Sequence, residues 1–77
     1  MKDIVEAIVK NIVQQPDAIK ITIEEVENRM TLKISVVQTD LGRLIGKEGR
    51  NINAIRTLAS AIGAKDNKRV KVEILEG

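Results

Sequence analysis

Apolar residues recur at helical spacing in the first part of the chain and then alternate strictly with polar ones. Residues 2–15 carry apolar side chains at i, i+1 and i+4, which predicts an amphipathic helix with one apolar stripe. Pro16 should end this helix, because the residue before a proline is disfavoured in the α conformation. Two alternating stretches, 19–24 and 30–36, follow, and the short connection Glu27–Arg29 between them predicts an antiparallel hairpin.

The second half of the chain returns to helical spacing and ends on another alternating stretch. Asp40 is placed to cap a short helix over 41–45. After a glycine-rich break, apolar residues at 52, 55, 58, 59 and 62 predict a longer helix that Gly63 closes. Residues 64–69 form a polar loop, and the alternation over 70–74 predicts a third strand.

The predicted element order is therefore αββααβ. Each strand has one apolar and one polar face, and a sheet of that kind is covered on one side only. We expect an α+β domain of two layers, a three-stranded sheet with three helices on one face, and we expect it to occupy residues 1–77 as one domain.

The composition argues against catalysis and against cofactors. The chain contains no cysteine, histidine, phenylalanine, tyrosine or tryptophan. Thiolate and imidazole chemistry are therefore excluded, zinc sites nearly so, and stacking of bases on aromatic rings is unavailable. Hydroxyl groups such as those of Ser35 and Ser60 have no evident base to activate them, so we do not expect an enzyme. Carboxylate-only sites for magnesium or calcium stay open as an alternative, but no stretch resembles a calcium loop, and we expect no bound metal.

The expected location is the cytoplasm. Glu6 and Lys10 interrupt the apolar run at the N-terminus, so it does not have the pattern of a signal peptide. The sequence also has no apolar stretch that approaches the length of a membrane span.

Positive charge is concentrated in the second half of the chain, near the glycines. Residues 1–39 carry five basic and six acidic groups, whereas residues 40–77 carry eight basic and five acidic ones. The segment GRLIGKEGRN, residues 42–51, contains three glycines and three basic side chains. Clustering of this kind says more about partners than the net charge of +2 does.

Three interpretations of the glycine-rich break can be compared. A tight turn between two helices is the simplest. A nucleotide-binding phosphate loop fails, because three residues rather than four separate Gly42 from Gly46, and Glu48 stands where a hydroxyl is required. A binding site for a nucleic-acid backbone fits, because glycine permits close approach and the next helix presents its N-terminus. Four basic residues surround this junction: Arg43, Lys47, Arg50 and Arg56.

The same residues resemble a known family. LIGKEGRNINAI, residues 44–55, is similar to the I-G-x-x-G-x-x-I signature of the KH domain, a module that binds single-stranded nucleic acid. The order αββααβ matches its type II, bacterial form. QPDAIKI and DLGRLIGKEGRNINAIRTL resemble the small single-KH bacterial proteins of the KhpA (YlqC) family.

The resemblance implies an RNA-binding site like that of other KH domains. In KH domains the G-x-x-G loop clamps the backbone of about four nucleotides, and the bases lie in an apolar groove beside it. In this sequence the loop corresponds to residues 46–49, and Leu41 is a further groove candidate. The RNA-binding residues so implied are Arg43, Ile45, Gly46, Lys47, Glu48, Gly49, Arg50, Ile52, Asn53 and Arg56. Ile45 and Ile52 are expected to lie half in the core and half in the groove, and for Arg56, two turns into its helix, a solvated arginine is the equal alternative to a phosphate contact.

The resemblance also implies partners. KhpA-family proteins pair as homodimers or with a larger KhpB (Jag)-type KH protein, and act as RNA chaperones linked to cell-wall and cell-shape control. Glu48 leaves the loop itself neutral, which predicts weak RNA binding by the isolated domain. The alternative is a dimerisation module whose degenerate groove binds protein only.

Overall fold

The computed structural model describes residues 1–76, and its elements follow the predicted αββααβ order. Its regular elements are α1 (Lys2–Ile12), β1 (Lys20–Val26), β2 (Arg29–Val36), α2 (Leu41–Ile45), α3 (Arg50–Lys65) and β3 (Arg69–Glu76). Single 3-10 turns lie at Pro16–Ala18, Gln38–Asp40 and Lys47–Gly49. The predicted α+β class is confirmed.

The sheet has the order β1-β2-β3, with β2 in the centre. β1 and β2 are antiparallel, as predicted. β3 runs parallel to β2, because α3 brings the chain back to the end of the sheet where β2 begins, and Arg69 pairs with Arg29. The hairpin turn is only Glu27–Asn28, because Arg29 already pairs with Val26 as part of β2. The expected connection was therefore one residue too long.

Helices cover one face of the sheet, and the core between the two layers is entirely aliphatic. Alternate residues of each strand point toward the helices, and the others point to solvent. The predicted two-layer arrangement is confirmed. The buried core consists of Val5, Val9, Val13, Ile21, Leu32, Ile34, Val36, Leu44, Ile52, Ile55, Ala59 and Val72.

α1 ends at Ile12, three residues before the predicted end, although Pro16 lies beyond it as expected. Val13 is extended, with φ −90° and ψ 158°, and is buried in the core. The backbone N–H groups of Gln14 and Gln15 then donate to one side chain from a distant segment, so they do not continue the helix.

That side chain is Asp40, and its predicted role as the helix cap was wrong. Asp40 immediately precedes α2, but its backbone has φ −97° and ψ −6° rather than the extended conformation that side-chain capping requires. Its carboxylate instead accepts hydrogen bonds from the N–H groups of Gln14 and Gln15, each at 3.1 Å. It is the buried polar side chain of the described residues, at 1% exposure.

The predicted role of Gly63 was also wrong. α3 continues past Gly63 and ends at Lys65, and Asn67, two residues later, takes the left-handed conformation (φ 57°). The N–H groups of Asn67 and Lys68 donate to Ala64 O and Gly63 O, which is a Schellman motif. Gly63 is needed for packing, because a Cβ there would lie 2.3 Å from Val70 Cγ2.

The hydrogen bonds of Asp40 can be tested with Asp40→Asn. The amide retains one acceptor oxygen but places an NH₂ group against a backbone donor, so one buried N–H loses its partner. We expect the free energy of unfolding to fall by roughly 2 kcal/mol in urea titrations. Asp17→Asn, at an exposed aspartate, is the matched control and should stay within about 0.5 kcal/mol of wild type. Equal stability of the two variants would contradict this assignment.

Candidate nucleic-acid interface

The loop between α2 and α3 follows a backbone path that requires glycine. Gly46 has φ 78° and ψ 171°, and Gly49 has φ 77° and ψ 15°. Between them Glu48 also has a positive φ, 56°, which is unusual for a residue with a side chain. The N–H of Gly46 donates to Gly42 O at 2.9 Å, and that of Gly49 donates to Gly46 O at 3.1 Å. The predicted glycine break is thus a tight, hydrogen-bonded turn.

Asn51 holds this turn against α2. Its Nδ2 donates to Arg43 O at 2.8 Å, which joins the first turn of α3 to α2. A Cβ on Gly46 would lie 2.8 Å from Asn51 Cγ and 2.9 Å from Asn51 N, so the two segments approach too closely for any other residue. Asn51 was not among the residues predicted from the sequence. An asparagine in the first turn of a helix is a signal for bonds to the adjacent backbone, whereas this acceptor lies eight residues earlier in the chain.

The charged side chains of the loop are exposed and only loosely paired. Arg50 Nη2 lies 4.0 Å from Glu48 Oε2, and both side chains are about three-quarters exposed, so this ion pair contributes little. Arg43 Nε lies 3.9 Å from the buried carboxylate of Asp40, with half of its side chain in solvent. Lys47 is exposed and has no ion-pair partner among the side chains that the structure describes, those of residues 1–75. Three cations are therefore available around one turn.

The other predicted site residues differ in how much of each side chain is exposed. Ile45 is 40% exposed beside Gly46, and the half-buried Leu41 lies one turn before it on α2. Ile52 is 6% exposed and belongs mainly to the core. Asn53 is exposed, and its Nδ2 would lie 3.6 Å from a Cβ on Gly49, so it borders the loop.

Arg56 is exposed but lies further from the loop than the other predicted cations. It follows Arg50 by six residues, which places it about 9 Å further along the helix axis. Arg43, Lys47 and Arg50 are thus grouped by the turn itself, whereas Arg56 extends the positive charge along α3.

The site can attract and hold an anion, and its residues suggest no reacting group. Positive side chains, the N-terminus of α3 and two glycines without a Cβ converge on one turn. Among the side chains of residues 1–75, no group of three acidic, histidine or cysteine residues is arranged to hold a metal ion. Among the helices of these residues, none has the length and apolar character needed to cross a membrane.

The fold and this turn define a KH domain of type II: two helices joined by G-x-x-G, packed with a third helix on a three-stranded sheet in the order αββααβ. The family described as "KhpA/KhpB, KH domain" matches residues 2–74. The chain belongs to this family, which is not a family of enzymes.

Curated relatives agree with this assignment over nearly the whole chain. "RNA-binding protein KhpA" of Listeria monocytogenes is 45% identical over 76 residues, covering 99% of this chain and all of the relative. The protein of the same name from Borreliella burgdorferi is 43% identical over 74 residues, covering 96% and 90%. That from Chlamydia pneumoniae is 42% identical over 78 residues, covering 99% and 97%. No solved structure matches the chain significantly.

The close approach at Gly46 can be tested against a second glycine in the same segment. Gly46→Ala places a Cβ against Asn51 in a conformation nearly restricted to glycine, so we expect it to destabilise by about 2 kcal/mol or more. Gly42→Ala is the matched control, because Gly42 is helical and has open space around its Cα. It should stabilise by roughly 0.5 kcal/mol. Thermal and urea unfolding would measure both, and similar effects of the two substitutions would contradict the geometry described.

Proposed function

We propose that the protein is a non-catalytic binder of single-stranded RNA and that residues 43–50 form its backbone clamp. The observation that carries the proposal is the G-x-x-G turn with three exposed cations around it. Its support from outside this chain is the name of the curated relatives, RNA-binding protein KhpA. In this proposal residues 1–77 act as one KH domain.

The clamp would hold phosphate through backbone and charge together. The N-terminus of α3 offers N–H groups and the positive end of its dipole, as helix N-termini do at many phosphate sites. Gly46 and Gly49 have no Cβ, so a sugar–phosphate backbone can approach the main chain closely. Arg43, Lys47 and Arg50 then neutralise phosphate charge from the rim.

Bases would lie against the apolar surface next to the clamp. Ile45 is the exposed apolar residue there, and Leu41 extends the same face of α2. Asn53 can donate and accept hydrogen bonds at the edge of this surface. Ile52 supports the surface from beneath, and Arg56 meets the RNA only where it continues along α3. With no aromatic side chains, the bases would pack on aliphatic surface in place of a stacking ring.

The isolated domain should bind weakly. Glu48 places a carboxylate inside the clamp, and its salt bridge with Arg50 is solvent-exposed. A single groove of this kind holds about four nucleotides, so few phosphates are contacted. Affinity would rise if two clamps acted on one RNA.

We therefore also propose that the protein associates with a second copy of itself or with a KhpB (Jag)-type partner. An apolar cleft of about 230 Å³ between α1 and α3 supports it. The cleft is lined by Ile8, Ile12, Asn51, Ala54, Ile55 and Leu58.

We further propose the family's role as a cytoplasmic RNA chaperone linked to cell-wall and cell-shape control.

The same cleft favours the second candidate function, a dimerisation module whose clamp no longer binds RNA. Its apolar lining could bury a protein partner without any contribution from the G-x-x-G turn. The two functions are separated by changing the clamp alone, because the cleft and the loop residues 47 and 48 do not overlap.

The double variant Lys47→Asp/Glu48→Asp performs this separation. It changes the charge of the clamp by −2 and keeps both glycines, and aspartate tolerates the left-handed conformation at position 48. We expect a thermal transition near that of wild type and, in fluorescence anisotropy, loss of most binding to a single-stranded RNA of about five nucleotides, which fills the clamp alone. Self-association, followed by light scattering, should survive.

Lys2→Asp is the matched control, since it makes the same change of charge at the exposed N-terminus of α1. It should retain RNA binding. If the clamp variant bound RNA as well as this control did, the G-x-x-G turn would be only a turn, and the dimerisation module would be favoured.

Salt dependence provides a test that needs no variant. If about three phosphates are neutralised, a plot of log affinity against log salt should have a slope of about −2. Single-stranded RNA should also compete better than a duplex of the same sequence, because the groove needs unstacked bases. Equal competition by both, with a much steeper slope, would indicate a nonspecific basic surface in place of a groove.

A further inference from the structure

The side of the sheet that faces away from the helices carries an excess of positive charge. Twelve side chains, four from each strand, lie on this outer face, and the register arranges them in four rows. Five are basic and two are acidic, so the face carries +3, more than the +2 of the whole chain. The rows are Val26–Arg29–Arg69, Glu24–Thr31–Lys71, Thr22–Lys33–Glu73 and Lys20–Ser35–Leu75.

Arg29 and Arg69 stand side by side in the first row. They are register partners on the neighbouring strands β2 and β3, both are exposed, and neither has an ion-pair partner among the side chains of residues 1–75. Like charges at adjacent positions of a sheet repel, so the fold gains nothing from this pair. A cleft of about 290 Å³ lies at this end of β2 and β3, and its lining consists of Arg29, Thr31, Arg69 and Lys71 together with the intervening Met30 and Val70.

In the two middle rows, the acidic residues of the outer face form ion pairs with lysines. Lys33 Nζ donates to Glu24 Oε1 at 2.8 Å, and Lys71 Nζ lies 3.5 Å from Glu73 Oε1. The hydrogen bond to Glu24, with the charges of both glutamates, raises the pKa of Lys33 above its ordinary value. Glu27, in the hairpin turn, forms no ion pair within the described residues, so the charge of the two arginines is uncompensated.

We propose that the outer face of the sheet is a second phosphate-binding surface, which holds RNA backbone outside the clamp through Arg29 and Arg69. This proposal rests on the proposed RNA-binding function. The planar guanidinium groups suit phosphate oxygens, and a basic residue in every row lets a backbone continue along the face. A protein partner fits less well, because the apolar residues of this face, Val26 and Leu75, stand at opposite corners and form no apolar centre.

The two surfaces are far enough apart to be tested separately. The clamp lies at the N-terminus of α3, and Arg69 follows its C-terminus, so the 16 residues of this helix separate them by about 24 Å. They also lie on opposite layers of the fold. An RNA that only fills the clamp cannot reach the arginine pair, whereas a longer RNA, or a second one, can.

The test compares Arg29→Gln/Arg69→Gln with Lys2→Gln/Lys10→Gln, a control with the same loss of charge on exposed positions of α1. Each protein is titrated with single-stranded RNA of about five nucleotides, which fills the clamp, and of about 30 nucleotides. For the arginine variant we expect unchanged affinity for the short RNA and about tenfold weaker binding of the long RNA at low salt, with a log–log salt slope shallower by about 1.4. Its melting temperature should equal or exceed that of wild type, because a like-charge pair is removed.

If the arginine variant matched the lysine control in its affinity for the long RNA and in its salt slope, the proposed outer surface would be wrong and the proposed clamp would be unaffected. Long-RNA binding that persists in Lys47→Asp/Glu48→Asp and disappears when Arg29 and Arg69 are also replaced would support the outer surface independently of the clamp. If wild type bound long RNA through the arginines but short RNA not at all, the clamp would fail and the outer surface would stand.

Discussion

The buried carboxylate of Asp40 is the contact on which the position of the clamp depends. It takes hydrogen bonds from the two residues after Val13, where α1 has already ended, and it directly precedes α2. A buried carboxylate is costly unless its oxygens are satisfied, and two backbone N–H groups satisfy these. One side chain therefore joins the end of the first helix to the start of the second, and Gly46 follows only six residues later.

α2 illustrates why such a contact is needed. Its five residues are far too few for a helix that is stable alone. It is held by Asp40 just before its start, by the bond from Asn51 to Arg43 O in its middle and by the fully buried Leu44 near its end. The left-handed turn of the clamp is thus imposed by tertiary contacts on both sides, which also maintain the uncommon backbone of Glu48.

Periodicity was sufficient for the element order, because alternation and helical spacing are local properties of the sequence, and the spacing of the glycines likewise located the G-x-x-G turn. It was insufficient wherever a residue acts on a distant partner. The early end of α1 depends on Asp40, 26 residues beyond Gln14, and the role of Gly63 depends on Val70 in the next strand. Asn51 was missed because its acceptor is a backbone carbonyl eight residues away. Ile52, in contrast, could be placed beside the loop from sequence, but only packing shows how little of it remains exposed.

The proximity of Arg29 and Arg69 likewise could not be predicted from local periodicity. Alternation alone assigns each arginine to the polar face of its strand, but only the parallel register of β2 and β3 makes them neighbours. The fold tolerates this repulsion because the opposite faces of the same strands contribute the core residues Leu32, Ile34, Val36 and Val72. Since inward and outward positions alternate, the charge of the outer face can change without disturbing the core. A chain with a modest aliphatic core can therefore carry one charged surface on its helices and another on its sheet.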